Sequence, residues 1–523
     1  MPKNLKPLSL LLLNIFLCIC SLYSQNNKTS VSYWPTENWI VTTPEEQGVD
    51  SEIFLKMLEF IQSSPTLDFH SILVIRNGCI ITETYWAPYN KNTTHNIKSA
   101  SKSILSTLAG IALEKNYLDN LEQKVSEFYP EYVNEPLKQD ISLEDLLTMT
   151  GGFNWMEDAG PSPYDLENWN KIAMRDKPGE EFEYNTMMTH MMSAILTKVC
   201  GISTKDFADK WLFKPLGIKN YQWRKGADGI YYGGSDIFLT PRDMAKFGFL
   251  FLNNGMWDEK RILPKEWIKK STSRIVDIPN EISYAVGLDY GYWWWIQEKA
   301  YMAWGAGGQY IIVNPNLDLI VVFTADGFDD INLYEQFMKQ FLEDYIYSSV
   351  ISETSIPAKP TALKKINDII QELENPKEIP IEQTPKIAAT ISTNNYIFDK
   401  NDAGFQSTSF IFSDSKCVWE YYVGEQRVNL QVGLNVNYLI NEIAFSMGVN
   451  PNGEKIACKG YWNSNVFIIE HHIIGDPSKQ IFKFNFDENI ISMNLTTIGM
   501  DVVIKGTKKS KSDNNDSSQS FYK

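Results

Sequence analysis

The pattern of apolar and polar positions changes character along the chain, and each change marks a unit. Leu8 to Cys20 is an almost unbroken apolar run, interrupted at Ser9 and Asn14. Further on, His70-Ser71-Ile72-Leu73-Val74-Ile75-Arg76 and Cys79-Ile80-Ile81-Thr82-Glu83-Thr84-Tyr85 are β-rich runs joined by Asn77-Gly78, which predicts a hairpin. A second hairpin is predicted over Gln309–Val313, a Pro315-Asn316 turn and Leu319–Thr324. Between the hairpins the period is helical. Lys102–Lys115 carries Ile104, Leu105, Leu108, Ile111 and Ala112 as one amphipathic face. Met187–Val199 predicts a helix opened by Asn185 or Thr186 and closed by Gly201, with further helices over 241–252 and 333–347. A sheet drawn from both ends of a region with helices inserted between them is an α+β arrangement: an antiparallel sheet flanked by helices, with a helical insert.

From residue 352 to 385 the pattern breaks. Pro357, Pro360, Pro376, Pro380 and Pro385 punctuate a charged stretch holding one short amphipathic helix, Ala362–Leu373, which reads as a linker. Residues 386–507 then alternate as short strands separated by turns such as Asp402-Ala403-Gly404 and Asn452-Gly453, predicting a smaller all-β domain, a sandwich or barrel. The last stretch, 508–523, is polar and reads as a disordered tail. The first globular domain is thus expected over 33–351.

The apolar run at 8–20 follows Lys3 and Lys6 and precedes a plausible cut at Ser24-Gln25. It is too short to span a bilayer, so 1–24 reads as a cleaved signal peptide and the mature chain as exported, periplasmic or secreted, without an integral membrane segment. The bulky Ile19 before Cys20 argues against a lipid anchor. Of the four later cysteines, Cys79, Cys200, Cys417 and Cys458, none has metal-site spacing, and only Cys417 with Cys458 merits consideration as a disulfide. A formal net charge of -16 leaves no electrostatic footprint for nucleic acid.

Ser-x-x-Lys occurs three times, at Ser99-Ala100-Ser101-Lys102, Ser413-Asp414-Ser415-Lys416 and Ser520-Phe521-Tyr522-Lys523. Only the first opens a helix. There the spacing puts Ser99 and Lys102 one turn apart on one face, where backbone N–H groups favour an oxyanion and burial favours a neutral amine able to take the serine proton. Two companions follow in order: Tyr184-Asn185-Thr186 just before a helix, and Trp304-Gly305-Ala306-Gly307-Gly308-Gln309 before an apolar strand. Ser142–Gly152 and Gly233-Gly234 through Gly248 lie between them.

This ordered set resembles the serine β-lactamase and penicillin-binding-protein superfamily, in its class C-like branch of esterases, peptidases and 6-aminohexanoate-dimer-hydrolase-like enzymes. The resemblance covers roughly Trp39 to Tyr347 and implies a β-lactamase-like fold for the first domain. It makes Ser99 the nucleophile, Lys102 its general base and Tyr184 the second proton-transfer group. It assigns the oxyanion hole to the N–H of Ser99 and one from the Trp304-Gly305-Ala306 motif, that of Ala306, with Gly307 the alternative. No metal and no organic cofactor is required. The chain departs from the family where Trp304 stands for a Lys or His that holds a substrate carboxylate, and where Thr186 replaces the amide of Tyr-x-Asn. Both departures favour a small-molecule ester or amide, or a peptide-like substrate lacking a C-terminal carboxylate, over a β-lactam or a DD-peptidase substrate. A non-catalytic binder or sensor of the same fold is the reading from a different class, and an intact Ser99, Lys102 and Tyr184 speaks against it.

Five histidines are too few and too scattered for a His-rich metal site, and His70, His95 and His190 read as surface or loop residues. With no Gly-x-Ser-x-Gly present, a Ser-His-Asp site is disfavoured. The run Tyr290-Gly291-Tyr292-Trp293-Trp294-Trp295 reads as one strand burying aromatics, and Trp419–Tyr422 with Tyr461-Trp462 as core of the β domain.

Overall fold

The computed structural model describes residues 33–509 apart from 64–67, 158–159, 280–286, 327–339, 378–384, 393, 435–436, 444–453 and 498–499. The signal segment 1–24, the tail from residue 510 and most of the helix predicted over 333–347 lie outside the described residues; the end of that helix is a π-helical stretch, Gln340–Tyr347.

Helix α1 (Ser51–Ser63) precedes the first hairpin, β1 (Asp68–Arg76) and β2 (Cys79–Tyr85). Asn77 and Gly78 both take positive φ, 50° and 77°, the turn geometry whose twist suits two antiparallel strands. Three long helices come next, α2 (Ser101–Glu114), α3 (Thr186–Cys200) and α4 (Pro241–Leu252), with shorter ones between and after them. The rest of the sheet comes late in the domain as β3 (Val276–Asp277), β4 (Asp289–Tyr290), β5 (Trp295–Ile296), β6 (Tyr301–Gly305), β7 (Gln309–Asn314) and β8 (Leu319–Asp326). The strand order is β2-β1-β8-β7-β6-β5-β4-β3, antiparallel throughout, so both ends of the domain meet in the β1–β8 pair. That register shifts between Phe69 and Ser71, which makes His70 the extra residue of a β-bulge.

Helix α2 is not the amphipathic surface helix its spacing suggests. Ser101 through Ala112 are all buried, so it runs through the domain interior. Among its polar positions, Ser103 Oγ donates to Trp293 O at 2.6 Å and Thr107 Oγ1 to Ser103 O at 3.0 Å, while buried Ser106 Oγ has no partner among the described residues. Such a helix is a rigid mount, since truncating a buried Leu105 or Leu108 costs about 2–5 kcal/mol. The aromatic run at 290–295 is likewise not one strand. It is a tight hairpin between β4 and β5, with Trp293 at φ 59° and Tyr290, Tyr292, Trp293, Trp294 and Trp295 all buried.

Helix α5 (Pro360–Glu374) lies along the first domain: Ile366 is part of its core, and Ala87 N–H donates to Leu373 O at 3.0 Å. The second domain comprises β9 (Asn395–Phe398), β10 (Phe405–Phe412), β11 (Lys416–Val423), β12 (Gln426–Gly433), β13 (Leu439–Ile443), β14 (Glu454–Asn463), β15 (Val466–Ile473), β16 (Lys479–Asp487), β17 (Ile490–Thr497) and β18 (Met500–Lys508). These pair in the order β12-β11-β10-β9-β18-β17-β16-β15-β14-β13, and a parallel contact between Gly433 and Lys459 closes the sheet into a barrel. Phe410, Trp419, Tyr421, Phe482 and Phe484 are fully buried and fill its core. Tyr461 breaks the expectation of buried aromatics, standing 45% exposed. Cys417 and Cys458 are buried and both free, so the considered disulfide does not form; buried thiols of raised pKa are inert.

The β15–β16 turn of the barrel meets the first domain. Asn96 N–H donates to Gly475 O at 2.6 Å, and Lys98 Nζ reaches Asp476 at 3.1 Å. Lys479 Nζ pairs with Asp68 at 2.8 Å, and an added Cβ on Gly307 would lie 2.7 Å from Pro477.

Candidate active site

Ser99 sits in a single 3-10 turn, Lys98–Ala100, that leads directly into α2. Lys98 holds a left-handed φ of 47°, so the chain turns sharply just before the nucleophile candidate. From the first turn of α2, Lys102 extends back and its Nζ lies 2.9 Å from Ser99 Oγ and 3.1 Å from the carbonyl of Gly234. Lys102 is buried, which pushes its pKa down to about 8, while the Glu157 carboxylate works in the opposite direction. A net shift of that size disfavours the ammonium by ~3 kcal/mol. Gly233-Gly234 is bare because α3 and Lys102 press against it: an added Cβ on Gly234 would stand 3.1 Å from Lys102 Nζ, and one on Gly233 2.0 Å from Thr189 O.

Tyr184 precedes α3, whose N-cap is Asn185, accepting from Met187 N–H at 2.9 Å. The cap fixes where the helix begins and so where Tyr184 projects. Tyr184 lies near enough to Ser99 for that side chain to act against the rise of its phenol, and Lys102 Nζ lies 4.7 Å from the centre of its ring. Burial, and after it Glu157, raise the Tyr184 phenol well above its usual range, so it is protonated at neutral pH. Ser99, Lys102 and Tyr184 are thus brought together at one place.

The third motif is also at this place. Gly305 ends β6, and a Cβ there would fall 2.1 Å from Ile97 O and 3.1 Å from Lys98 Cβ, so glycine permits the strand to abut the segment entering Ser99. Ala306, itself exposed, opens the turn that follows, in which Gly307 and Gly308 are buried. Trp304 is half-buried between Trp295, at 5.1 Å, and Tyr310, at 5.8 Å, with Trp295 in turn stacked on Tyr184 at 5.8 Å. It forms an apolar wall where a cation would otherwise stand.

Thr186 does something the sequence does not disclose. Its N–H donates to Glu157 at 3.0 Å and its hydroxyl bonds the other oxygen of the same carboxylate, while Trp155 Nε1 donates to Glu157 at 2.7 Å. Glu157 thus becomes a fixed negative charge acting on both Lys102 and Tyr184. Its loop offers no sequence signal, because only the folded contact with Thr186 selects this carboxylate from its acidic neighbours. Asp476, which anchors Lys98, was equally invisible, since it comes from the other domain.

The histidines require correction. His70, His95 and His190 are all buried, and none is a surface residue. His190 Nε2 meets Asp228 at 2.9 Å, away from Ser99's partners. His70 and His95 stack across 5.4 Å beside Tyr89, and a ligand atom each from His70, Asp326 and His472 lie within 4.8 Å of one another. Residues some 400 positions apart in sequence meet there, which counting histidines along the chain does not foresee. Among the described residues no helix is long and apolar enough to cross a membrane.

A 6-aminohexanoate-dimer hydrolase of Paenarthrobacter ureafaciens is 21% identical over 279 residues, covering 48% of this chain and 71% of that protein. Protein flp of Staphylococcus aureus strain MW2 is 25% identical over 331 residues, covering 54% and 64%. Among solved structures, an octameric penicillin-binding protein homologue from Pyrococcus abyssi aligns at 16% identity with a TM-score of 0.43, covering 87% of this chain and 98% of that one. The beta-lactamase family profile matches residues 70–334, just over half of the 523-residue chain and the whole span from β1 to beyond β8. The chain belongs to the beta-lactamase family of serine hydrolases.

Proposed function

We propose that the protein hydrolyses an ester or amide through an acyl-enzyme on Ser99, and that the 2.9 Å contact between Lys102 Nζ and Ser99 Oγ is the observation that carries this reading. The neutral Lys102 amine accepts the Ser99 proton as Oγ attacks the substrate carbonyl. The oxyanion is held by the N–H groups of Ser99 and Ala306. Tyr184, a protonated phenol, donates to the departing alcohol or amine and is reprotonated from the Lys102 ammonium. Water then attacks the acyl-Ser99 ester by the same route in reverse, releasing the acid and restoring the Ser99 hydroxyl.

The substrate class follows from the walls of the site. Trp304 offers no charge to a carboxylate, and Lys98, the neighbouring cation, is taken up by Asp476. Esters and amides without a terminal carboxylate are therefore favoured over β-lactams and DD-peptidase substrates. The relative named for hydrolysis of an aminohexanoate dimer supports including amides. The signal-like segment 1–24 supports export.

A fluorophosphonate probe tests the reading. Labelling of the wild type that disappears in Ser99→Ala, together with turnover of short-chain esters or amides, is the expected result. An unlabelled wild type, or equal labelling of Ser99→Ala, would refute it and leave a binding protein of the same fold. Tyr184→Phe is expected to lower turnover about 10²–10⁴-fold, with the greater loss on amides, whose leaving group needs the proton more than an activated phenyl ester does.

A further inference from the structure

We propose that the protein binds one divalent transition metal of the zinc class between its two domains, on His70, His472 and Asp326. The three side chains come from β1, β15 and the end of β8, are all buried, and bring their ligand atoms within 4.8 Å of one another. Two imidazoles and one carboxylate are a ligand set that suits Zn(II), with water in the fourth position.

Three observations favour an ion over a merely packed cluster. First, among the described residues neither ring nitrogen of His70 has a hydrogen-bond partner, although the residue is fully buried. Leaving both nitrogens of a buried ring unpaired is costly, and a bound ion relieves that cost. Second, His70 is the extra residue of the β1 bulge, a device that turns a side chain out of the regular pleat. Third, the neighbours orient His472. The Tyr438 hydroxyl donates to Glu470 at 2.9 Å, so it accepts from His472 Nε2, 3.1 Å away. The Nδ1 lone pair of His472 then stands on the side of Tyr89, whose hydroxyl is 3.2 Å away and whose ring stacks on His70 at 3.8 Å. A metal replaces the Tyr89 hydroxyl as the partner of Nδ1, while Tyr438 remains the outer group fixing the tautomer.

The surrounding charge is compatible with a cation. The nearby Lys479 ammonium is matched by Asp68 at 2.8 Å and Glu470 at 3.3 Å. Ile473, next in sequence to His472, lines an interdomain groove of about 510 Å³. The metal has no part in the Ser99 chemistry. It ties the start of the β15–β16 turn to the sheet that carries Ser99's surroundings.

Full-length protein without an affinity tag, stripped with a chelator, is titrated with Zn(II) in competition with a chromogenic chelator, and Co(II) is followed by its d–d absorption. One equivalent per chain and a rise in melting temperature on zinc addition are expected. His70→Asn, His472→Asn and Asp326→Asn should each weaken binding beyond the about 10–100-fold expected of Tyr438→Phe, an outer-group change. His190→Gln, outside the cluster, should bind as the wild type does. Fluorophosphonate labelling of Ser99 and circular dichroism show which variants are folded; if a histidine variant is not, Asp326→Asn and Tyr438→Phe decide. No stoichiometric Zn(II) or Co(II) uptake by the wild type, or uptake undiminished in the folded ligand variants, overturns the proposal and leaves a buried water as the occupant.

Discussion

Lys102 and Glu157 set opposing influences on one proton. Burial lowers the lysine to about 8 and the carboxylate holds it from falling further. In the proposed mechanism the neutral amine is the base, so kcat/KM should rise with pH and level off above about 8. Removing the Glu157 charge takes away the influence that raises Lys102. Glu157→Gln should therefore move the rising limb to lower pH, and a pH–rate profile of the two proteins on one ester checks the sign. An unchanged or upward-shifted limb would mean Glu157 does not act on the base. Ser99, Lys102 and Tyr184 were legible in the sequence because each needs only a residue type at a fixed distance from a helix start. Glu157 was not, because its role depends on Thr186 turning a hydroxyl and an N–H toward it across 29 residues.

At the scale of elements, the two hairpins and the helices at 187–199 and 241–252 were readable from periodicity and turn chemistry, which act locally. What periodicity missed depends on tertiary enclosure. Helix α2 has an apolar face, yet its serines and threonines are buried too, because neighbouring elements wrap it completely. The aromatic run at 290–295 folds back on itself because Trp293 takes a left-handed φ that no alternation pattern signals. The abutment of β6 on the turn before Ser99 is the element-level feature with the clearest consequence. Gly305→Ala places a methyl 2.1 Å from Ile97 O, so backbone must move on one side. Since misplacing reacting groups by about an ångström can cost ~10²-fold, kcat should fall by that order while the protein stays folded by circular dichroism. A variant with wild-type kcat would show that the strand and the nucleophile turn are not mechanically linked.

Across the whole molecule, the barrel is fastened to the hydrolase domain beside its site rather than at its back. Asn96, Lys98 and Asp68 all find partners on the barrel. Asp476 is buried in this contact, so Asp476→Asn leaves the Lys98 ammonium without its counter-charge and should cost about 1–3 kcal/mol, read as a lowered melting temperature. If the interface aims Ser99, kcat falls in the same variant; a stability loss with unaltered kcat would assign Asp476 to fastening alone. Nothing in the linear pattern indicated where the barrel would sit, since β-strand periodicity specifies a domain's own core and not the surface it meets.

The left-handed residue just before Ser99 has a consequence for ancestry. A non-glycine φ of 47° costs of order 1 kcal/mol and persists only when its surroundings hold it, and here part of that hold is a carboxylate from the other domain. Genes shuffle domains readily when the boundary carries little but a tether. A recombinant that exchanged the barrel for a foreign one would inherit the turn before Ser99 with one of its bracing contacts missing, so the two halves are expected to have been passed down together.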